Sequence, residues 1–143
     1  MDLLEHGRAY AARCVENAQA LAAALDAEGF EVMARDHGFT RSHHVGVDAR
    51  TLGGGTRAAR RLEAGNILAT GIPLPLPPVA GDYNGLRLGT QEVTRWGMGP
   101  DEMAAAADLM ASLLLRDEPP EAIRRAVVAL RAPFHRIRYC IET

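Results

Sequence analysis

The most consequential absence in this 143-residue sequence is lysine, because all sixteen of its Lys and Arg residues are arginines. A lysine amine is the side chain that condenses with carbonyl compounds to form an imine. Covalent chemistry of that kind is therefore excluded for this chain by itself.

The sequence has only two cysteines. It also has no long apolar run and no excess of one charge. Cys14 and Cys140 are too far apart in sequence for a metal-ligand or redox motif. No stretch is apolar over the length of a membrane span, and residues 1–6 have no signal-peptide pattern. The net charge of −2, with both signs interspersed, argues against nucleic-acid binding. We expect a soluble cytoplasmic protein that binds neither nucleic acid nor membrane.

The order of periodic segments predicts an α+β fold in one domain, residues 1–143. A small antiparallel or mixed sheet would be covered by helices on one face and preceded by a long helix. The predicted helices cover residues 3–28, 57–64, a segment that begins at Pro100, and residues 121–130. The predicted strands cover residues 30–34, 43–48, 67–72 and 86–88, with a proline-rich surface loop at 73–78.

One arginine lies in a short apolar strand between glycines, in the run Gly85-Leu86-Arg87-Leu88-Gly89-Thr90. A guanidinium presents a planar fork of donors that matches the two oxygens of a carboxylate. A partly buried Arg87 is therefore a candidate carboxylate-binding residue. The alternative is a structural arginine paired with Asp82 or Glu92.

This run, continued by Thr94-Arg95-Trp96-Gly97, resembles the arginine segment of the serine hydroxymethyltransferase family of pyridoxal-phosphate (PLP) enzymes. Three further segments are similar to that family in matching order: the helix of residues 10–22 followed by Gly29-Phe30, the run Thr40-Arg41-Ser42-His43 with Val47-Asp48, and residues 132–134. The resemblance covers nearly the whole chain.

The resemblance implies the C-terminal third of a fold-type-I PLP enzyme, with a linking helix at residues 1–28 and a small domain at residues 29–143. In the family, the residue matching Arg87 holds the substrate carboxylate, and His43 would be a nearby hydrogen-bond donor. PLP and its lysine would belong to a separate large-domain partner in a hetero-oligomer. This chain would then supply no catalytic residue and no metal ligand.

Two departures from the family bear on the reaction. Leu68-Ala69-Thr70 stands where the family has Asn-Lys-Asn near its folate site, and Trp96 stands where it has arginine. These changes argue against tetrahydrofolate and favour the threonine aldolase or transaldolase-like branch. The implied reaction makes or breaks the Cα–Cβ bond of a β-hydroxy amino acid of the glycine, serine or threonine type.

Several alternatives stay open at this point. The chain could be a non-catalytic remnant, or a regulatory module that binds the large domain of a PLP enzyme, or a piece of a longer chain. His43 could equally be a structural histidine, and because neighbours in a strand point to opposite faces, only one of His43 and His44 would face the site. No role is assigned to His44. The cluster of Arg57, Arg60 and Arg61 is interpreted as a solvated helix face.

Overall fold

A computed structural model describes residues 2–140 and has the α+β architecture that the sequence predicts. The helices are α1 (Asp2–Ala27), α2 (Gly55–Ala64), α3 (Gln91–Arg95), α4 (Pro100–Leu114) and α5 (Pro120–Arg131). The strands are β1 (His44–Asp48), β2 (Thr70–Ile72) and β3 (Gly85–Gly89), and a short 3-10 helix covers Arg35–His37.

The three strands form one antiparallel sheet in the order β1-β3-β2. The arginine strand β3 is therefore central, and Arg87 pairs with Gly46 of β1 on one side and with Thr70 of β2 on the other. This confirms the expected small sheet and fixes it as antiparallel.

One face of the sheet, called here the inner face, is apolar and covered by helices. Its side chains Val45, Val47, Leu86 and Leu88 are buried and belong to a core that α1, α2 and α4 complete. Side chains alternate along a strand, so the residues between them, including Arg87, lie on the opposite, outer face.

Helix α1 is part of this core. Cys14, Ala18, Leu21 and Leu25 recur at helical spacing and are all buried, and the helix packs chiefly along α4. It ends at Ala27, two residues before Gly29, whose φ of 99° suits glycine. Neither α1 nor any other helix within residues 2–140 is long and apolar enough to cross a membrane.

Two of the predicted strands differ in the structure. At residues 30–34 the predicted strand is wrong, because only Val32 forms a bridge, to Val47, before Ala34 turns into a left-handed conformation. The strand predicted at 67–72 begins only at Thr70, since Asn66 has a φ of 68° and the chain after it does not pair with β3. Leu68 is consequently 84% exposed.

Helix α3 has no counterpart among the predicted elements. It spans five residues, Gln91–Arg95, and follows directly on β3. Its anchor is a set of buried side chains that link it to α1: Asn17 Nδ2 donates to Thr94 Oγ1 (2.8 Å), and Thr90 Oγ1 donates to the Cys14 carbonyl (2.7 Å). Long-range contacts of this kind leave no periodic signal in five residues.

Candidate functional site

Arg87 lies on the outer face of the central strand, and its side chain is exposed rather than partly buried. The outer face beside it is made of small residues, with Gly85 and Gly89 on its own strand and Gly46 opposite. Because these glycines have no side chains, neighbouring side chains lie close against the sheet beside the guanidinium.

Neither acid proposed as a structural partner of Arg87 pairs with it. Asp82 accepts hydrogen bonds from the backbone N–H groups of Thr56 (2.9 Å) and Arg57 (3.0 Å) at the start of α2. Glu92 accepts one from the indole N–H of Trp96 (2.8 Å). No ion pair of Arg87 is found within residues 2–140.

The acids near Arg87 thus have other structural roles. The side chain of Thr56 and, after it, the backbone N–H groups of Arg57, Thr56 and Tyr83 hold the pKa of the Asp82 carboxyl at about 2. Because Asp82 and Glu92 accept hydrogen bonds from these other groups, the guanidinium of Arg87 is able to bind an anion from outside the chain.

The two adjacent histidines do not point to opposite faces, as strand geometry predicted. His43 precedes β1, and its carbonyl accepts hydrogen bonds from the backbone N–H and the hydroxyl of Thr90. The two imidazole rings are 3.9 Å apart between centroids. His44, the first residue of β1, lies on the same face as Arg87, because Gly46, two residues on, pairs with Arg87.

The pKa of His44 is lowered by partial burial and, secondarily, by the neighbouring His43 and Arg87. A lowered pKa keeps its imidazole neutral near neutral pH, with one nitrogen that donates a hydrogen bond and one that accepts.

A cleft of about 530 Å³ opens beside Arg87, at the end of β3 where residues 66–69 leave the sheet. Arg87, His44 and Thr70 line its polar part. The rest of its lining is mainly apolar and includes Ile67, Leu68, Ala69, Val93, Met103, Ala106, Leu109, Val127 and Leu130. His43 does not line this cleft, whereas His44 does. The contact of His43 with a substrate stays a prediction, and the geometry favours His44 at this position.

Trp96 is half-buried at the edge of this region. Its ring stacks against the Arg131 guanidinium, 4.4 Å from the ring centroid, and its N–H binds Glu92. Arg131 and Glu92 both line the cleft. Trp96 therefore holds charged residues of the cleft wall in place and does not belong to the core.

A second, wider groove of about 1000 Å³ runs along α2. Arg57, Arg60 and Arg61 line it; Arg61 pairs with Asp117 (2.6 Å), and its guanidinium also donates to the Leu113 carbonyl. Arg57 and Arg60 are exposed, which agrees with a solvated helix face.

The residues present do not fit a complete PLP site. The chain has no lysine to bind the cofactor covalently. Arg87 faces outward on β3, and the donor geometry of its guanidinium matches the two oxygens of a carboxylate. No group of three or more His, Cys, Asp or Glu side chains within residues 2–140 is placed to hold a metal ion. The geometry therefore fits one wall of a substrate site.

The three-stranded antiparallel sheet of this chain, backed by helices and preceded by the long helix α1, matches the small C-terminal domain of a fold-type-I PLP enzyme. The solved structure of L-threonine transaldolase from Pseudomonas fluorescens superimposes with a TM-score of 0.84 at 29% identity, covering 96% of this chain and 31% of that one.

The amino-acid sequence identifies the family of this chain. Residues 3–110 match the model of the serine hydroxymethyltransferase family, and the chain belongs to that family. An alpha-methylserine aldolase from Ralstonia sp. is 45% identical over 139 residues, 97% of this chain and 32% of the relative. A serine hydroxymethyltransferase from Pyrobaculum neutrophilum is 46% identical over 133 residues, 93% of this chain and 31% of the relative.

The chain spans about a third of the length of these relatives. The family implies PLP dependence and cleavage or formation of a Cα–Cβ bond for its full-length members. What this shorter chain contributes to such chemistry is a separate question.

Proposed function

We propose that this chain is the small-domain subunit of a split PLP-dependent enzyme that makes or breaks the Cα–Cβ bond of a β-hydroxy amino acid. The observation that carries the proposal is the exposed guanidinium of Arg87, which has no acidic partner in the described chain and stands on a glycine-lined sheet face. The division into a linking helix at residues 1–28 and a small domain at residues 29–143 is part of the proposal.

In this proposal Arg87 binds the substrate carboxylate and fixes the orientation of the amino acid. PLP, held by a large-domain partner that carries the lysine, supplies the electron withdrawal that the reaction needs. The apolar wall of the cleft, from Ile67 to Ala69, helps to exclude water from the closed site. Orientation alone can accelerate a reaction by several orders of magnitude, so a subunit without a catalytic residue can still be essential.

The reaction type we propose is aldol or transaldol chemistry without tetrahydrofolate. Two of the similar proteins are named alpha-methylserine aldolase and L-threonine transaldolase. In this chain the segment Leu68-Ala69-Thr70 that lines the cleft offers one hydroxyl and two apolar side chains, a poor match for tetrahydrofolate, which has a polar pterin ring and a charged glutamate tail.

The second candidate function is that of a non-catalytic module that binds the large domain of an intact PLP enzyme. Its support is the exposed apolar surface on three separate elements: Leu4 is 89% exposed, Leu68 84% and Val128 56%. Each of these side chains is a candidate contact for a partner. The two functions predict the same kind of partner and differ in whether that partner is active only with this chain.

The test is isolation of the tagged chain with its partner from native cell extract, followed by a visible absorption spectrum. The split enzyme predicts a lysine-bearing partner that contains PLP, lacks its own small domain, and changes colour when glycine or L-threonine is added. A partner that is a complete enzyme, equally active without this chain, would support the regulatory module. A colourless chain without a partner would contradict both.

A further inference from the structure

Two residues without an assigned role lie beside Arg87 and also line the cleft. Thr70 is the direct cross-strand partner of Arg87 on β2, and residues directly opposite in an antiparallel pair share a face. His44 of β1 lies diagonally across from Arg87 on the same face, and all three side chains line the same cleft.

Glycines lie directly opposite two of these side chains in the sheet. Gly46 lies opposite Arg87, and Gly89 lies opposite His44. A side chain at Gly89 would collide with Gln91, and one at Gly46 would press on Met33. The glycines therefore let the side chains of Gln91 and Met33 lie close against the sheet beside the imidazole and the guanidinium.

The polar atoms of these three side chains are also unused. Within residues 2–140, neither the His44 ring nor the Thr70 hydroxyl nor the Arg87 guanidinium has a hydrogen-bond partner in the protein. The His44 ring contacts the ring of His43. Three polar side chains that share a sheet face, line one cleft and lack internal partners are candidates for ligand contacts.

We propose that His44 and Thr70 are the second and third polar contacts of the ligand that Arg87 binds, so that the site selects a small amino acid with a hydroxyl group next to its α-carbon. Arg87 takes the carboxylate, and the imidazole and the Thr70 hydroxyl, each able to donate and accept, take the polar groups beside it. The inference rests on the proposed function and names two of its specificity-determining residues.

Ligand binding should be visible in the titration of His44. The charged groups around its imidazole are Arg87 from β3, His43 next to it, and Glu92 and Arg131 farther along the cleft lining. Burial is the main cause of the lowered His44 pKa, and Arg87 adds to it; a carboxylate bound at Arg87 offsets that added positive charge, so the pKa should rise.

The experiment is an NMR titration of the full chain, following the His44 ring proton and the Arg87 Nε–H with and without L-threonine. L-threoninol, which lacks the carboxylate, is the control ligand, and His37 on the exposed 3-10 helix is the control histidine. We expect L-threonine to move both signals, L-threoninol to move neither, and His37 to stay unchanged. The H44L variant should bind L-threonine about tenfold more weakly, whereas H44Q should retain most of the affinity. The T70V variant should also bind L-threonine more weakly, whereas T70S should not.

The outcomes separate this inference from the proposed function. If L-threonine shifts Arg87 while His44 and the H44L and T70V affinities stay unchanged, the inference is overturned and the carboxylate-binding role of Arg87 stands. If no signal moves, both the inference and the role of Arg87 are overturned. An equal weakening by H37L would also overturn it, because it would show an effect unrelated to the cleft.

Discussion

The two faces of the same small sheet differ in what their side chains do. On the inner face Leu86 and Leu88 are 1% and 4% exposed and join the core. On the outer face Arg87, one residue from each, is exposed, and glycines surround it. The strand thus separates folding from binding by the alternation of its side chains, and each substitution on it should disturb one property and spare the other.

The largest expected effect is on the inner face. Leu86→Ala removes a fully buried side chain from the core and should lower the free energy of unfolding by about 2–5 kcal/mol. Chemical denaturation measured by circular dichroism checks it. A decrease in the free energy of unfolding of less than about 1 kcal/mol would contradict the role of the inner face in stabilising the fold.

The matched change on the outer face is Arg87→Ala. Because the side chain is exposed and unpaired in the described chain, the free energy of unfolding should change by no more than about 0.5 kcal/mol. The same denaturation experiment measures it, with Leu86→Ala as the comparison. A loss as large as that of Leu86→Ala would assign Arg87 a structural role and remove the contrast between the faces.

A third test concerns the loop before β3, which ties the sheet to α2. The pKa of Asp82 is about 2, below its ordinary value of 3.8, so its contribution to stability is complete above pH 3.8 and is lost as the pH falls through about 2. Asp82→Asn should lower the melting temperature at neutral pH and flatten the acid dependence of stability in that window. Asp36→Asn, on the exposed 3-10 helix, is the control and should do neither.

The smallest effect belongs to His44. Its pKa lies below the ordinary 6.5, so the unfolded chain takes up the proton first and stability falls as the pH drops below 6.5. His44→Gln should remove this part of the pH dependence, measured as melting temperature between pH 5 and pH 8. Arg87→Gln should weaken it, because one of the charges that lowers the pKa is gone.

The sequence predicted most of the fold because the core depends on local periodicity. Cys14, Ala18, Leu21 and Leu25 mark α1, and the alternation in residues 85–89 marks β3. The strand predicted at 30–34 failed because apolar Phe30 and Val32 pack on the core without a continuous ladder. Helix α3 was missed because its anchors, Asn17 and Cys14, are more than seventy residues away.

Fewer features of the candidate site than of the fold depend on local sequence. Arg87 could be found because its apolar strand and flanking glycines are local features. Its neighbours depend on register: that Thr70 lies opposite Arg87 and His44 on the same face follows only from the strand pairing. A one-residue shift of register would turn His44 to the inner face, and the resemblance to the family pointed to His43 instead.

The most direct test of the account is amino-acid binding to the purified complex of this chain with its PLP-containing partner, with Arg87 intact or changed to Ala or Lys. The readout is the glycine concentration that gives half of the change in visible absorption. We expect Arg87→Ala to raise that concentration about 100-fold, since a charge-assisted bidentate contact is lost, and Arg87→Lys to raise it less. The same half-maximal concentration in all three proteins would contradict the assignment of Arg87 as the residue that binds the substrate carboxylate.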